Sequence, residues 1–209
     1  MRAVQRRQRS RGRARLAVVA DAAQVAREVE LLDVPLARHA YAGIVPDPAV
    51  VDVTFDERYW YPDDGGVVWL AGYQVVEPES GRYLGREAPE LAARGLRVAA
   101  VAGAGRHHAD ALGAEDVGPG RALELRRDPG NAHDPSAIAV HAPGAAQVGW
   151  VPREIAAELA PSLDAGEAWA AIVLREQRAS PRDPRTGLTM LLAPAAAIEL
   201  REHARRPPP

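Results

Sequence analysis

Apolar residues return along this chain at two different periods, and the change of period marks out its elements. Val25, Val29, Leu32 and Leu36 recur at helical spacing behind Asp21 and Gln24, a pair with capping-box spacing. One helix is therefore predicted near residues 21–33, ending before Pro35. From Tyr41 to Val76, β-branched and aromatic residues are broken by Pro46, Pro48, Pro62 and the turn Asp63-Asp64-Gly65-Gly66. Val67, Trp69 and Ala71 alternate with Val68 and Leu70, which predicts a β-hairpin of residues 59–61 against 67–76. A short helix is expected near residues 87–94, closed by Gly95 as a left-handed cap.

Beyond Leu96 the strand signals become regular. Val98-Ala99-Ala100-Val101 reads as a small buried strand entering Gly103-Ala104-Gly105, and His107 and His108 read as adjacent strand positions facing opposite sides. Leu123 and Leu125 mark a second strand that ends in Asp128-Pro129-Gly130-Asn131, where proline presets φ and glycine permits a positive one. Ile138 and Val140 mark a third strand, Pro143-Gly144 turns it, and residues 148–151 form a fourth. Pro152 opens a helix with Ile155, Leu159 and Leu163 on one face, running to Gly166. Trp169, Ile172 and Leu174 begin a further strand, and residues 188–192 form the last. The predicted fold is mainly β, of the α+β class: a small OB-like antiparallel barrel with one helix, preceded by a helix and hairpin appendage.

Composition narrows the chemistry. All 26 basic residues are arginine, and lysine and cysteine are absent. Disulfides, thiolate zinc sites, iron–sulfur clusters and a cysteine nucleophile are excluded for want of sulfur. A Walker-type phosphate loop, a pyridoxal Schiff base and a kinase strand lysine are excluded for want of an ε-amine. The Ala/Arg/Gly/Pro bias reads as a high-GC codon preference, so the arginine total alone says little about partners. No apolar run approaches the roughly 18 residues of a membrane span, and the stretch from Leu16 to Ala20 is short for a signal-peptide core, so a soluble cytoplasmic protein, nucleoid-associated at most, is expected.

Charge divides the chain into blocks. Residues 1–15 hold seven arginines and no acid, residues 16–97 sum to −7, residues 98–200 to −4 and residues 201–209 to +2, giving the net −2. The expected organisation is a disordered basic arm at 1–15, a helix-plus-hairpin appendage at 16–95, the OB-like module at 96–200 and a tail at 201–209. The basic arm reads first as a solvated tail and second as a phosphate-contacting arm.

Three stretches stand out together: Gly103-Ala104-Gly105-Arg106-His107-His108; residues 125–140, Leu-Arg-Arg-Asp-Pro-Gly-Asn-Ala-His-Asp-Pro-Ser-Ala-Ile-Ala-Val; and Gln147-Val148-Gly149-Trp150-Val151-Pro152-Arg153. In order and spacing they resemble the HIRAN domain, a module found at the N-terminus of fork-remodelling Snf-type helicases and as free-standing bacterial proteins. The resemblance covers residues 97–195. It implies an OB-like fold that binds single-stranded DNA at a free 3′ end without catalysis or cofactor, in DNA repair or replication, alongside a helicase or repair partner. Tyrosines stand in the helicase-borne pattern where this chain has His107 and His133.

The residues suit such work on their own chemistry. Arg106 and Arg153 are fixed cations able to fork a phosphate. His107, His133 and the larger Trp150 offer flat rings for a base or sugar. Asp134 can accept from a terminal hydroxyl and repel a terminal phosphate, and Asn131 suits a base edge or its own turn. Each has a plainer role open to it: Asn131 and Asp134 in the turn, Trp150 in the core with Val148, the arginines in solvent. Two rival functions remain. His107, His108, His133 and His141 with Asp110 and Asp134 are the residue types of a metal-dependent hydrolase, but no H-x-x-x-H or HExxH spacing arranges them. Phe55, Tyr59, Trp60, Tyr61, Trp69 and Tyr73, six of the ten aromatics, read first as cross-strand packing and otherwise as a protein-interaction or base-stacking surface.

Overall fold

A computed structural model describes residues 49–61, 66–114, 116–144, 146–194 and 198–203. The helix predicted near 21–33, the basic arm at 1–15 and the Pro207-Pro208-Pro209 end lie outside them. In chain order the elements are β1 (Ala49–Trp60), β2 (Val68–Val75), α1 (Pro89–Ala93), β3 (Arg97–Ala100), α2 (Ala104–His107), α3 (Ala109–Ala114), β4 (Ala122–Arg127), β5 (Ile138–His141), β6 (Gln147–Trp150), α4 (Arg153–Asp164), β7 (Trp169–Arg178), β8 (Arg185–Pro194) and β9 (Ile198–Glu202).

The protein is mainly β, as expected, but its sheet is not closed. The pairing order runs β6-β5-β4-β7-β2-β1-β9, with β8 pairing β7 and β3. β7 is the hub: β8 lines one edge, while the other is shared between β4, at Ala171 and Ile172, and β2, at residues 175–178. Two apolar clusters lie on opposite faces of this hub. Val173, Met190 and Leu192 enter the cluster under α4, whereas Ile172, Leu174, Leu191 and Ala193 enter the cluster with Val51, Val53, Val75 and Leu91. Alternate strand residues point to opposite faces, so a strand buried on both sides reads as a continuous apolar run, as Met190-Leu191-Leu192-Ala193 does.

Several expectations need correction. The hairpin is far longer than 59–61 against 67–76, because β1 extends back to Ala49 and pairs with β2 from Val53↔Val75 to Trp60↔Val68. Its period-2 signal, Val51, Val53 and Phe55 between Asp52, Thr54 and Asp56, is blurred by two buried carboxylates. The module holds three helices rather than one, since α2 and α3 precede α4 and span only four and six residues, too few to show a helical period. His107 and His108 are accordingly helical and C-cap positions, not strand positions. β9, which pairs parallel with β1, carries the alternation Ile198, Leu200 that the prediction passed over. Gly130 does not use the positive φ its turn allows, whereas Gly95 takes φ 71° and caps α1 as expected.

Asp52 ties β9 to β1. It is only 4% exposed, and its Oδ1 accepts from Arg201 Nε and lies 2.5 Å from His203 Nε2. Burial pushes the Asp52 carboxyl up, but the bonds from Arg201 and His203 outweigh burial and hold it below the usual carboxylate value.

Candidate nucleic-acid interface

The site begins with glycines that bring backbones together. Gly103 takes φ 72°, the left-handed turn that ends the β3 segment and starts α2. Gly105 lies so close to β8 that an added Cβ would sit 2.1 Å from the Thr186 carbonyl oxygen. On the other side Gly149 lies against Val101 and Ala102, and Ala102 and Trp150 exchange backbone hydrogen bonds of 2.8 and 3.0 Å. Both G-x-G glycines and the glycine of Gln147-Val148-Gly149-Trp150 are thus contact positions of one junction.

That junction gathers three of the predicted residues. A Cβ on Gly103 would meet His107 Cδ2 at 3.4 Å and Trp150 Cδ1 at 3.9 Å, so both rings border Gly103. Arg106 and His107 are exposed and Trp150 is half-buried, while Val148 beside it is fully buried. Trp150 therefore borders the core and the surface at once. The Arg106 backbone N–H donates to the Gly103 carbonyl at 3.2 Å, and its side chain makes no hydrogen bond or ion pair among the described residues. Arg106 and His107 line an open cleft of about 800 Å³ that Gln177, Thr186, Gly187 and Thr189 line as well.

Asn131, His133, Asp134 and Arg153 form a second group, at the turn between β4 and β5. Asn131 Oδ1 accepts the N–H groups of His133 (3.0 Å) and Asp134 (3.2 Å), and its Nδ2 donates to Asp128. Asp134 Oδ1 accepts the Ser136 N–H at 2.8 Å, and Oδ2 lies 3.5 Å from Arg153 Nε. Arg153 also donates to the His133 carbonyl at 3.1 Å, yet its side chain is 70% exposed. The His133 ring is exposed. Asn131 is thus fully engaged in its turn, while Asp134 and Arg153 keep a solvent-facing side. No described hydrogen bond or ion pair joins this group to Arg106 and His107; the covalent stretch Trp150-Val151-Pro152-Arg153 links them.

Sequence reasoning missed Arg127, which holds the turn from below. It pairs with Asp164 of α4 and donates to the carbonyls of Ala137 and Pro135. It also missed Gln177, Thr186 and Thr189, which carry no motif and reach the cleft only through strand register.

The two adjacent histidines diverge. His107 lines the cleft, whereas His108 meets the backbone of Gln147 and feels the charges of His107 and His141. Burial first, and those neighbouring imidazoles second, push the His108 imidazole below its ordinary value. A base whose affinity for protons is lower folded than unfolded contributes stability above its unfolded value, and that stability fades as pH falls past it. Between about pH 8 and pH 5 the wild-type melting temperature is expected to fall more than that of His108→Gln. Parallel declines would count against a strained His108. Among the described residues no three of His, Cys, Asp and Glu are grouped as a metal ion would need, and no helix is long and apolar enough to cross a membrane.

Residues 96–192 match the family model of the HIRAN domain. This stretch is a HIRAN domain. HIRAN domains are nucleic-acid-binding modules, which supports a DNA-binding role for the chain. Two solved structures resemble it. The HIRAN domain of human HLTF is 24% identical, with 47% of this chain and 74% of that chain covered and a TM-score of 0.35. A protein from Lactobacillus plantarum is 23% identical, with 46% and 91% covered and a TM-score of 0.34. No curated protein matches.

Proposed function

We propose that the HIRAN domain of this protein binds a free 3′ end of single-stranded DNA, without catalysis, in DNA repair or replication. The observation that carries the reading is the meeting of His107 and Trp150 at Gly103, beside an open cleft that Gly103, His107 and Arg106 line, the Arg106 side chain having no partner among the described residues. Two flat rings stack an unpaired base and a guanidinium holds its phosphate. Asp134, with Arg153 beside it, accepts from the terminal hydroxyl and repels a terminal phosphate. The block at 98–200 is net −4, so few phosphates are neutralised and binding is weak and salt-sensitive. A helicase or another repair protein supplies the motor this chain lacks, and the setting is the cytoplasm or nucleoid.

Fluorescence anisotropy with a single-stranded 3′-hydroxyl oligonucleotide tests this. Arg106→Ala is expected to weaken binding by about 1–3 kcal/mol, or roughly 5- to 150-fold. Unchanged affinity would refute the assignment of Arg106. A second reading, a protein-interaction surface, is favoured by the exposure of Phe55, Tyr59, Trp60 and Tyr61, from 37% to 70%. Binding through that surface would survive both Arg106→Ala and Asp134→Ala.

A further inference from the structure

The cleft that Arg106 and His107 line also holds neutral polar side chains. None of its described lining residues is acidic; Arg106 supplies the fixed charge, Val101 and Leu188 apolar surface, and Gln177 and Thr189 an amide and a hydroxyl. Thr186 is where the two sides of the cleft meet. Its backbone carbonyl receives the close approach of Gly105 in α2, and its Oγ1 donates to the Gln177 backbone carbonyl at 3.2 Å. Gln177 of β7 pairs with Gly187 of β8, and a Cβ on Gly187 would meet Gln177 Oε1 at 3.4 Å and Cδ at 3.9 Å. The glycine therefore leaves the space in which the amide lies.

Gln177 is half-buried, and its side-chain amide makes no hydrogen bond among the described residues. An amide offers donors and an acceptor side by side, so its natural ligand brings both together. The Watson–Crick edge of every unpaired base does so: N6–H and N1 in adenine, N4–H and N3 in cytosine, N1–H and O6 in guanine, N3–H and O4 in thymine. Their order differs among the bases, and an amide that nothing holds turns over to meet either. Charge points the same way. The block at 98–200 is net −4, so phosphates supply little of the affinity and contacts to the base have to supply more.

We propose that the Gln177 amide hydrogen-bonds the Watson–Crick edge of the base that stacks on His107, so that the cleft reads whether the strand end is unpaired rather than which base it carries. This rests on the end-binding reading above and deepens it by naming the group that selects a single strand. A duplex end is refused because the complementary base already occupies that edge. Thr186 acts as a positioning residue, since it holds the Gln177 backbone on one side and receives Gly105, the neighbour of Arg106, on the other.

The test uses the full chain and three single-stranded 3′-hydroxyl oligonucleotides that differ in their last two nucleotides: thymidine, N3-methylthymidine, or abasic. The methyl group keeps the ring for stacking and removes the N3–H. Wild-type protein is expected to bind the methylated end at least about fivefold more weakly than the thymidine end, the worth of one neutral hydrogen bond. Gln177→Met keeps the length of the side chain without its amide, and its melting temperature is expected to match the wild type. It is expected to bind the thymidine end about fivefold more weakly than wild type does, and the methylated and abasic ends as wild type does. Equal wild-type affinity for the thymidine and methylated ends, or an equal loss by Gln177→Met on all three ends, overturns the base reading and leaves end binding standing. The wild-type comparison needs no variant, so it decides even where Gln177→Met does not fold. A wild type that binds none of the three ends overturns both.

Discussion

Gly149→Ala is expected to cost roughly 3 kcal/mol of folding stability, read as a lower urea midpoint. The added methyl would lie 2.5 Å from Val101 Cγ1 and 2.6 Å from the Ala102 carbonyl oxygen, at a φ of 153° that side chains rarely adopt. The oxygen belongs to the backbone pair Ala102–Trp150, so relief requires opening that pair, and Val101 belongs to the core under α4. A control comes from Gly113 in α3, where an added Cβ meets nothing within 4 Å. Gly113→Ala is expected to be neutral or stabilising by about 0.4–1 kcal/mol. A Gly149→Ala cost under about 1 kcal/mol would mean that the junction yields more easily than its packing indicates.

Trp150→Ala is expected to weaken binding of a 3′-hydroxyl single strand by about 1–3 kcal/mol, the worth of one base stacked on an aromatic ring. The ring is half-buried, so loss of the fold has to be separated from loss of the stack. Trp150→Phe keeps a stacking face and most of the packing, and is expected to retain most of the affinity. Urea melts of both variants report the packing contribution separately. If alanine and phenylalanine bind alike and as tightly as tryptophan, Trp150 belongs to the core alone.

The parts of the fold legible in the sequence are those where one local rule decides. Pro152 ahead of Ile155, Leu159 and Leu163 marked α4 because a single helical face is buried. Gly95 marked the end of α1 because only glycine takes its φ without cost. The illegible parts depend on residues distant in sequence. β1 was truncated because Asp52 and Asp56 sit buried within it, and the Asp52 partners Arg201 and His203 lie about 150 residues away. The G-x-G glycines were visible as a motif, but their reason, contact with Thr186 and the Trp150 ring, is set by tertiary register. The candidate site was legible in the same uneven way. Arg106, His107 and Trp150 come together, whereas Asn131, His133, Asp134 and Arg153 gather at a separate turn, and the cleft wall of Gln177, Thr186 and Thr189 had no sequence signal.

The account stands on discrimination between strand ends, and one anisotropy experiment reads it directly: the same oligonucleotide with a 3′-hydroxyl, with a 3′-phosphate, and as a blunt duplex. The hydroxyl end is expected to bind at least about tenfold more tightly than either of the others, a difference of about 1.4 kcal/mol or more. Equal affinity for the hydroxyl and phosphate ends would contradict the role given to Asp134, and equal affinity for all three would contradict end binding itself.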